Sequence, residues 1–294
     1  MSAGRVLITG GGGQLASDLE ALLGGPREVL APPRGALDVT DDAACGAVFA
    51  DWRPAIVFNC AAFHNVEACE REEDRAFAVN ARAVKRLASR CAEGGARLVH
   101  LSTNYVFDGT AAAAYDEDAA PSPRSVYAIS KLAGEHAARA YAPGALVVRT
   151  AGLYGLHGSA SKGGNFVTRM LARARAQGAL EVVADQRLTP TFTADLAAGI
   201  LAAVDAGVTG TVHVTNAGAT SWHGFTEAIM ELAGVAVPVA AAATVTGPGA
   251  AERPRNGVLR SAALERAGLA PLRPWRHALA DYLERAGLLA GAAA

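Results

Sequence analysis

Residues 5–16 read Arg5-Val6-Leu7-Ile8-Thr9-Gly10-Gly11-Gly12-Gly13-Gln14-Leu15-Ala16. Residues 5–9 predict a short buried strand, residues 14–23 a helix, and the four glycines between them a tight turn. Glycines at such a turn let pyrophosphate oxygens approach backbone N–H groups, and the helix N-terminus adds positive partial charge. Counting Gly10, Gly13 and Ala16, the spacing is GxxGxxA. A glycine-rich turn alone is also compatible with a plain tight bend. Its position at residue 10, between a strand and a helix, favours a dinucleotide cradle.

Outward from this turn, apolar runs alternate with helical patterns. Strands are predicted over residues 27–31, 55–60, 97–102 and 145–150, with helices over 74–93 and 125–142. Strands separated by helices imply an α/β fold, a doubly wound parallel sheet of Rossmann type. After Thr150 the rhythm changes. A Gly/Ser-rich loop over 155–164 precedes a helix at 165–177, a strand at 180–184, a helix at 193–205, a strand at 211–215 and a helix at 222–233. Residues 236–254, rich in Ala, Gly and Pro, predict no element. The expected division is a dinucleotide-binding domain over 1–150, continued by roughly 178–218. A smaller lobe over 151–177 and 219–294 would cover the sheet's carboxyl edge, where such folds bind ligands.

The bulk composition excludes several classes of function. Apolar residues make up 51% and charged residues 19%, a globular balance. With 27 basic and 28 acidic residues, the formal charge of −1 supplies no general field for nucleic acid or an anionic membrane. No nucleic-acid or membrane partner is expected. An anionic ligand must be held by local groups. Four cysteines, Cys45, Cys60, Cys69 and Cys91, lack CxxC or zinc spacing and read as reduced thiols of a cytoplasmic protein. The N-terminus lacks a secretory pattern, and no apolar run approaches the ~20 residues that span a bilayer. Residues 288–294 predict a short frayed tail.

Three further places carry chemistry. The second predicted strand runs into Ala31-Pro32-Pro33-Arg34 with no acid at its end. Arg34 is either the reader of a ribose 2′-phosphate, favouring NADPH over NADH, or a solvated loop arginine. Asp38 is better placed for the adenine end. In Tyr127-Ala128-Ile129-Ser130-Lys131, Tyr and Lys share one helix face. A nearby ammonium would lower the phenol's ordinary pKa of ~10. Ser102-Thr103 ends a predicted strand and offers a hydroxyl at the sheet's carboxyl edge. Hydroxyl, Tyr and Lys together would polarise a carbonyl and deliver a proton. Asn80, in the long helix before that strand, is expected to support this geometry through a water, beside the cofactor.

Taken together, the glycine turn, Asn59-Cys60-Ala61-Ala62, Ser102-Thr103 and YAISK resemble the extended short-chain dehydrogenase/reductases. More narrowly, the chain resembles the dTDP-4-dehydrorhamnose reductase family. The segments carrying this are GGGGQLA, PAIVFNCAAFHNVEACE, HLSTNYVFDG, YAISKLAGE, RTAGLYG, NFVTRM, ADQRLTPT and ERPRNGVL, in family order across nearly the whole chain. The resemblance implies reduction of a dTDP-linked 4-keto-6-deoxysugar to dTDP-L-rhamnose, by a cytoplasmic monomer or homodimer. It implies that Thr103 hydrogen-bonds the C4 carbonyl, that Tyr127 donates the proton, and that Lys131 holds the nicotinamide ribose. Gly13, Gln14 and Leu15 would contact pyrophosphate, Asp38 and Val39 would flank adenine, and Ala61, Ala62 and Phe63 would line the cofactor groove. On the substrate side, Asn165 and Phe166 would start a helix facing the sugar nucleotide. Arg253 and Asn256 lie in the block ERPRNGVL, where Arg253 is either a diphosphate contact or a structural brace.

The chain departs from the family pattern at the sugar. Asn104 stands where an aspartate is usual, keeping an acceptor but losing the charge. Gly152 stands in place of a tryptophan that packs on the sugar, implying an enlarged pocket. His64 replaces a usual Thr and Glu67 a usual Asp. Asp18 matches one ligand of a magnesium site known in some members, but Ala194 stands where another would be, so no metal is expected. Two alternatives to the default substrate are a 4-ketoreductase for another dTDP-deoxysugar and a non-catalytic nucleotide-binding regulatory subunit.

Overall fold

Val6, Leu7 and Ile8 are fully buried, and the strand they form, β1 (Val6–Thr9), lies inside a parallel sheet. The computed structural model describes residues 4–157, 164–245, 247 and 250–290. Parts of the expected loop at 155–164, of the segment at 236–254 and of the expected frayed tail therefore lie outside the described residues. After β1 come α1 (Gln14–Leu23), β2 (Val29–Leu30), α2 (Asp42–Trp52), β3 (Ile56–Asn59), α3 (Val66–Arg71) and α4 (Glu73–Phe77). A π-helical turn, Ala78–Arg82, leads into α5 (Ala83–Gly94), β4 (Arg97–Leu101), α6 (Val126–Tyr141) and β5 (Leu146–Arg149). The second half holds β6 (Leu153–Tyr154), α7 (Phe166–Gln177), β7 (Leu180–Val183), β8 (Arg187–Leu188), β9 (Thr191–Phe192), α8 (Thr193–Asp205) and β10 (Gly210–His213). It ends with β11 (Thr220–Ser221), α9 (Trp222–Leu232), β12 (Val239–Ala242), α10 (Ala262–Arg266) and α11 (Trp275–Arg285).

The main sheet has the order β2-β1-β3-β4-β5-β10, with every neighbouring pair parallel. Its strands are apolar because both faces are covered. On one face Leu15 and Leu19 of α1 and Leu196 and Ile200 of α8 pack against Val6, Ile8, Phe58 and Val148. On the other, Val84 and Ala88 of α5 and Ala138 of α6 pack against Leu7, Val57, Leu98 and Val147. Each large apolar side chain so buried contributes roughly 1.5–3 kcal/mol. The strand order reverses between β1 and β3, which opens a crevice at their carboxyl ends. A separate core unites Tyr154, Phe192, Phe225, Leu279 and Tyr282, and brings α7, α9 and α11 together as the second lobe.

Four local expectations are revised. The second strand, expected over 27–31, is only two residues long, because Pro32 and Pro33 follow it and lack the N–H groups a ladder needs. The single helix expected over 74–93 is interrupted by the π-helical turn around Asn80. The strand near 180 does not return to the large sheet: β7 pairs in parallel with β12, and Leu180 and Val182 join the second core. The main sheet regains the chain only at α8 and β10, so residues 178–192 belong with the lobe. The Ala-rich stretch, expected to be irregular, supplies that partner strand β12.

Candidate active site

The carboxyl ends of β1, β3, β4 and β5 and the lobe's α7, β8 and α9 enclose a cleft of about 940 Å³. One end is the glycine turn. Gly10 has φ +79°, in the left-handed region, and a Cβ there would lie 2.9 Å from the backbone nitrogen of Ala61. Only glycine lets the turn bend this way and still touch the loop after β3. Gly13 caps α1 without a side-chain hydrogen bond, so the helix's first N–H groups have no competing side-chain acceptor there. Gly13, Gln14 and Leu15 line the cleft, and Gln14 Oε1 and Thr150 Oγ1 are buried without a partner in the chain. An uncapped helix N-terminus and unpaired oxygens on one wall fit a dinucleotide's pyrophosphate and ribose.

At the far end of β4 stand Thr103, Tyr127 and Lys131. Thr103 caps the short 3₁₀ turn Asn104–Val106, its Oγ1 accepting from the Tyr105 nitrogen at 3.2 Å. Ser125 caps α6 by accepting from the Ala128 nitrogen, which sets where the helix begins. Tyr127, in the first turn, thereby lines the same cleft as Thr103, whose hydroxyl acts on its phenol. Burial raises the Tyr127 pKa and the Thr103 hydrogen bond opposes it. The structure thus assigns to Thr103 the lowering that the sequence ascribes to Lys131. The Lys131 ammonium, one turn on, donates to the Leu101 carbonyl at 2.5 Å. Burial brings its pKa down to about 8, with Glu135 pulling the other way.

Glu135, another turn along α6, carries a role the sequence reading did not assign. Its buried carboxylate accepts Nε and Nη2 of Arg149 at 2.8 and 2.7 Å and the Ser102 hydroxyl at 2.5 Å. These charge-assisted bonds clamp α6 to the ends of β4 and β5 and hold its carboxyl below the usual range despite burial. The recurrence of Tyr127, Lys131 and Glu135 at four-residue intervals was the available signal. Tyr105 was also missed: its ring meets that of Tyr127 edge-on at 5.8 Å, and its hydroxyl is hydrogen-bonded to Arg253. Its place directly after Thr103-Asn104 was the signal.

The other expected residues divide. Ala62, Asn104, Gly152, Phe166 and Arg253 line the cleft. Phe166 packs against Trp222, 4.4 Å between ring centroids, on the lobe wall. Asn165 also borders the cleft, but its side chain is spent on structure. It caps α7 and donates to the Gly155 carbonyl and the Tyr282 hydroxyl, each at 2.7 Å. Asn256 is a correction: its amide donates to the Ala111 and Ala113 carbonyls at 2.9 and 2.8 Å, bracing a loop outside the cleft lining. Asn80 likewise works from behind. It accepts from the Phe63 nitrogen and donates to the Phe63 carbonyl and to Ser130 Oγ, fixing the loop after β3 to α6 directly. Val39 is buried in a small core against which Ala61 and Phe63 pack. Arg34 and Asp38 pair with each other at 3.4 Å on the surface, and Gly11 ties their loop to the glycine turn through the Pro32 carbonyl at 3.0 Å.

Gly152 also changes meaning. Its φ is +58°, and a Cβ would lie 2.8 Å from Leu188 Cδ1 and 3.1 Å from Pro190 Cα. A tryptophan on this backbone would carry left-handed strain and crowd Leu188 and Pro190; Leu188 lines the cleft beside it. Among the described residues no group of three His, Cys, Asp or Glu side chains is arranged to hold a metal ion, and no helix is long and apolar enough to cross a membrane.

A parallel sheet with a glycine turn at its switch point and a Thr, Tyr and Lys constellation at its carboxyl edge defines an extended short-chain dehydrogenase/reductase. Within that class, the family model described as the RmlD substrate binding domain matches residues 4–287, and the chain belongs to that family. A dTDP-4-dehydrorhamnose reductase of Mycobacterium tuberculosis (strain CDC 1551 / Oshkosh) is 42% identical over 95% of this chain and 92% of its own length. A dTDP-4-keto-6-deoxy-D-glucose reductase of Streptomyces niveus is 40% identical over 94% of this chain and 95% of its own. The structure of the Bacillus anthracis dTDP-4-dehydrorhamnose reductase in complex with NADP superposes with a TM-score of 0.90, at 33% identity over 96% of this chain and 99% of that one.

Proposed function

We propose that the chain reduces the C4 ketone of a dTDP-linked 4-keto-6-deoxysugar with NADPH, in the cytoplasm, with dTDP-4-dehydro-L-rhamnose as the leading substrate and dTDP-L-rhamnose as its product. The observation that carries this is the placing of Thr103, Tyr127 and Lys131, the last two one helical turn apart, in the same cleft as the glycine turn. Gly10, Gly13, Gln14 and Leu15 would hold the dinucleotide's pyrophosphate and Lys131 its nicotinamide ribose. When bound, the reduced nicotinamide supplies the hydride. Burial keeps Tyr127 protonated, as a proton donor must be. Its hydroxyl gives that proton to the C4 oxygen, Thr103 orients the carbonyl, and solvent restores the phenol. Arg34, released from Asp38, would pair with the 2′-phosphate that distinguishes NADPH from NADH. Arg253 would take the sugar nucleotide's diphosphate.

Gly152 favours a second reading, reduction of a different dTDP-4-keto-6-deoxysugar, because the wall beside the sugar is not the family's tryptophan. NADPH oxidation by the full chain, with a panel of dTDP-4-keto-6-deoxysugars and product configuration read by NMR, separates the two. The Tyr127→Phe variant is expected to lose about 10²–10⁴-fold in turnover while still binding NADPH. A chain that binds dTDP and NADPH but oxidises nothing with any sugar would be a regulatory subunit, and the proposal would fail.

A further inference from the structure

Glu67 and Arg253 form an ion pair across the cleft. Glu67 lies in the first turn of α3, whose N-cap, Asn65, accepts from the Ala68 nitrogen at 3.0 Å. Arg253 comes from the segment between β12 and α10, 186 residues later. Both side chains are partly open to solvent, 46% and 35% exposed. Arg253 is also hydrogen-bonded to Tyr105, whose ring touches that of Tyr127. The guanidinium therefore stands one aromatic side chain away from Tyr127.

We infer that Glu67 competes with the ligand for Arg253: its carboxylate holds the guanidinium in the place of a ligand's diphosphate, and a ligand gains that contact only by displacing it. The inference rests on the reading that this cleft takes a nucleoside-diphosphate sugar. A guanidinium offers a fork that fits a carboxylate and a phosphate equally, so the two anions compete for it. Tyr105 keeps its own bond to Arg253 during the exchange, which holds the cation at the site. Partly solvated pairs of this kind are weak, so a diphosphate can replace the carboxylate, whereas a neutral sugar or nucleoside cannot. The resident carboxylate lowers the affinity of every ligand that uses Arg253 by one common factor, set by the fraction of Arg253 that is unpaired, and leaves a ligand that does not reach Arg253 unaffected.

Calorimetric titration of the full chain with dTDP, dTMP and thymidine tests this. Glu67→Gln is expected to tighten dTDP by about 2- to 5-fold, the fraction of competent Arg253 being raised. Tightening of dTMP is expected to be no larger, and to appear only so far as its phosphate reaches Arg253, with thymidine unchanged. In an Arg253→Ala background the same substitution should do nothing. Glu67→Ala provides a second variant, since glutamine can still bond the guanidinium. If the wild type binds dTDP and neither variant binds it more tightly, or if the gain survives removal of Arg253, the inference is overturned while the proposed function stands. A wild type that binds no dTDP overturns both.

Discussion

Asn104 donates through Nδ2 to the carbonyl of Gly257, 3.0 Å away and 153 residues along the chain. Its Oδ1 lies 3.4 Å from Thr103 Oγ1, so one amide joins the reacting hydroxyl to the C-terminal segment. An aspartate, usual in the family, would lose this donor and set a carboxylate against a buried carbonyl. Asn104→Asp is therefore expected to cost roughly 1–3 kcal/mol of stability and to raise KM for the sugar nucleotide. Urea unfolding and initial-rate kinetics check this; unchanged values for both would show that the amide is not a tie.

Lys131 titrates at about 8 because burial disfavours its charge. If its ammonium is needed to hold the ribose, kcat/KM, which reports the free enzyme, should fall as pH rises through about 8. Glu135 opposes that lowering, so Glu135→Gln should move the alkaline limb to lower pH. A pH–rate profile from 6 to 10 reads both effects. A flat profile to pH 10 would remove Lys131's charge from the reaction.

Gly152 occupies the left-handed region at φ +58° with Leu188 and Pro190 close by. Gly152→Ala should destabilise the chain by about 1–3 kcal/mol, and Gly152→Trp by more, before any question of sugar preference arises. Thermal unfolding gives the answer. A Gly152→Trp variant as stable as the wild type would mean that the backbone relaxes and that the wall can be rebuilt.

His213 is fully buried, its Nδ1 donating to the Tyr115 and Arg260 carbonyls at 3.1 Å each. Burial lowers its pKa from 6.5 to about 4. Because the unfolded chain takes up the proton first, stability is complete above pH 6.5 and is lost as pH falls through that window toward 4. The loss from this residue is roughly 3 kcal/mol. His213→Gln keeps an N–H donor without a titrating group, so its unfolding midpoint should depend less on acid between pH 6.5 and 4. An identical acid slope in the variant would sink this assignment.

The fold class was legible because Val6–Ile8, the glycine turn and the helix after it impose a strand–turn–helix by local rules alone. Apolar runs then repeat at βα spacing along the first half. The proposed reacting groups were legible for a related reason: Tyr127 and Lys131 are helix-face neighbours, and Thr103 follows a strand end. Local periodicity did not show the break at Asn80, because the helical segment before the π-helical turn, Glu73–Phe77, is too brief to reveal a shift of the apolar face. Nor could it place the strand near 180, because β7 has the same composition whether its partner is β5 or β12.

By itself, then, the sequence determined the parallel sheet, the glycine turn and the proposed proton-delivering groups, which follow from local spacing along the chain. Only the tertiary structure decided which polar side chains face the ligand and which brace the fold. Asn80, Asn165 and Asn256 are amides like Asn104, and the groups that accept from them, the hydroxyls of Ser130 and Tyr282 and the carbonyl of Ala111, belong to segments 50, 117 and 145 residues away. Long-range packing likewise set Gly152 against Leu188 and brought Glu67 to Arg253. Such partners are chosen by the folded backbone, whose distant segments meet only after the two cores have formed.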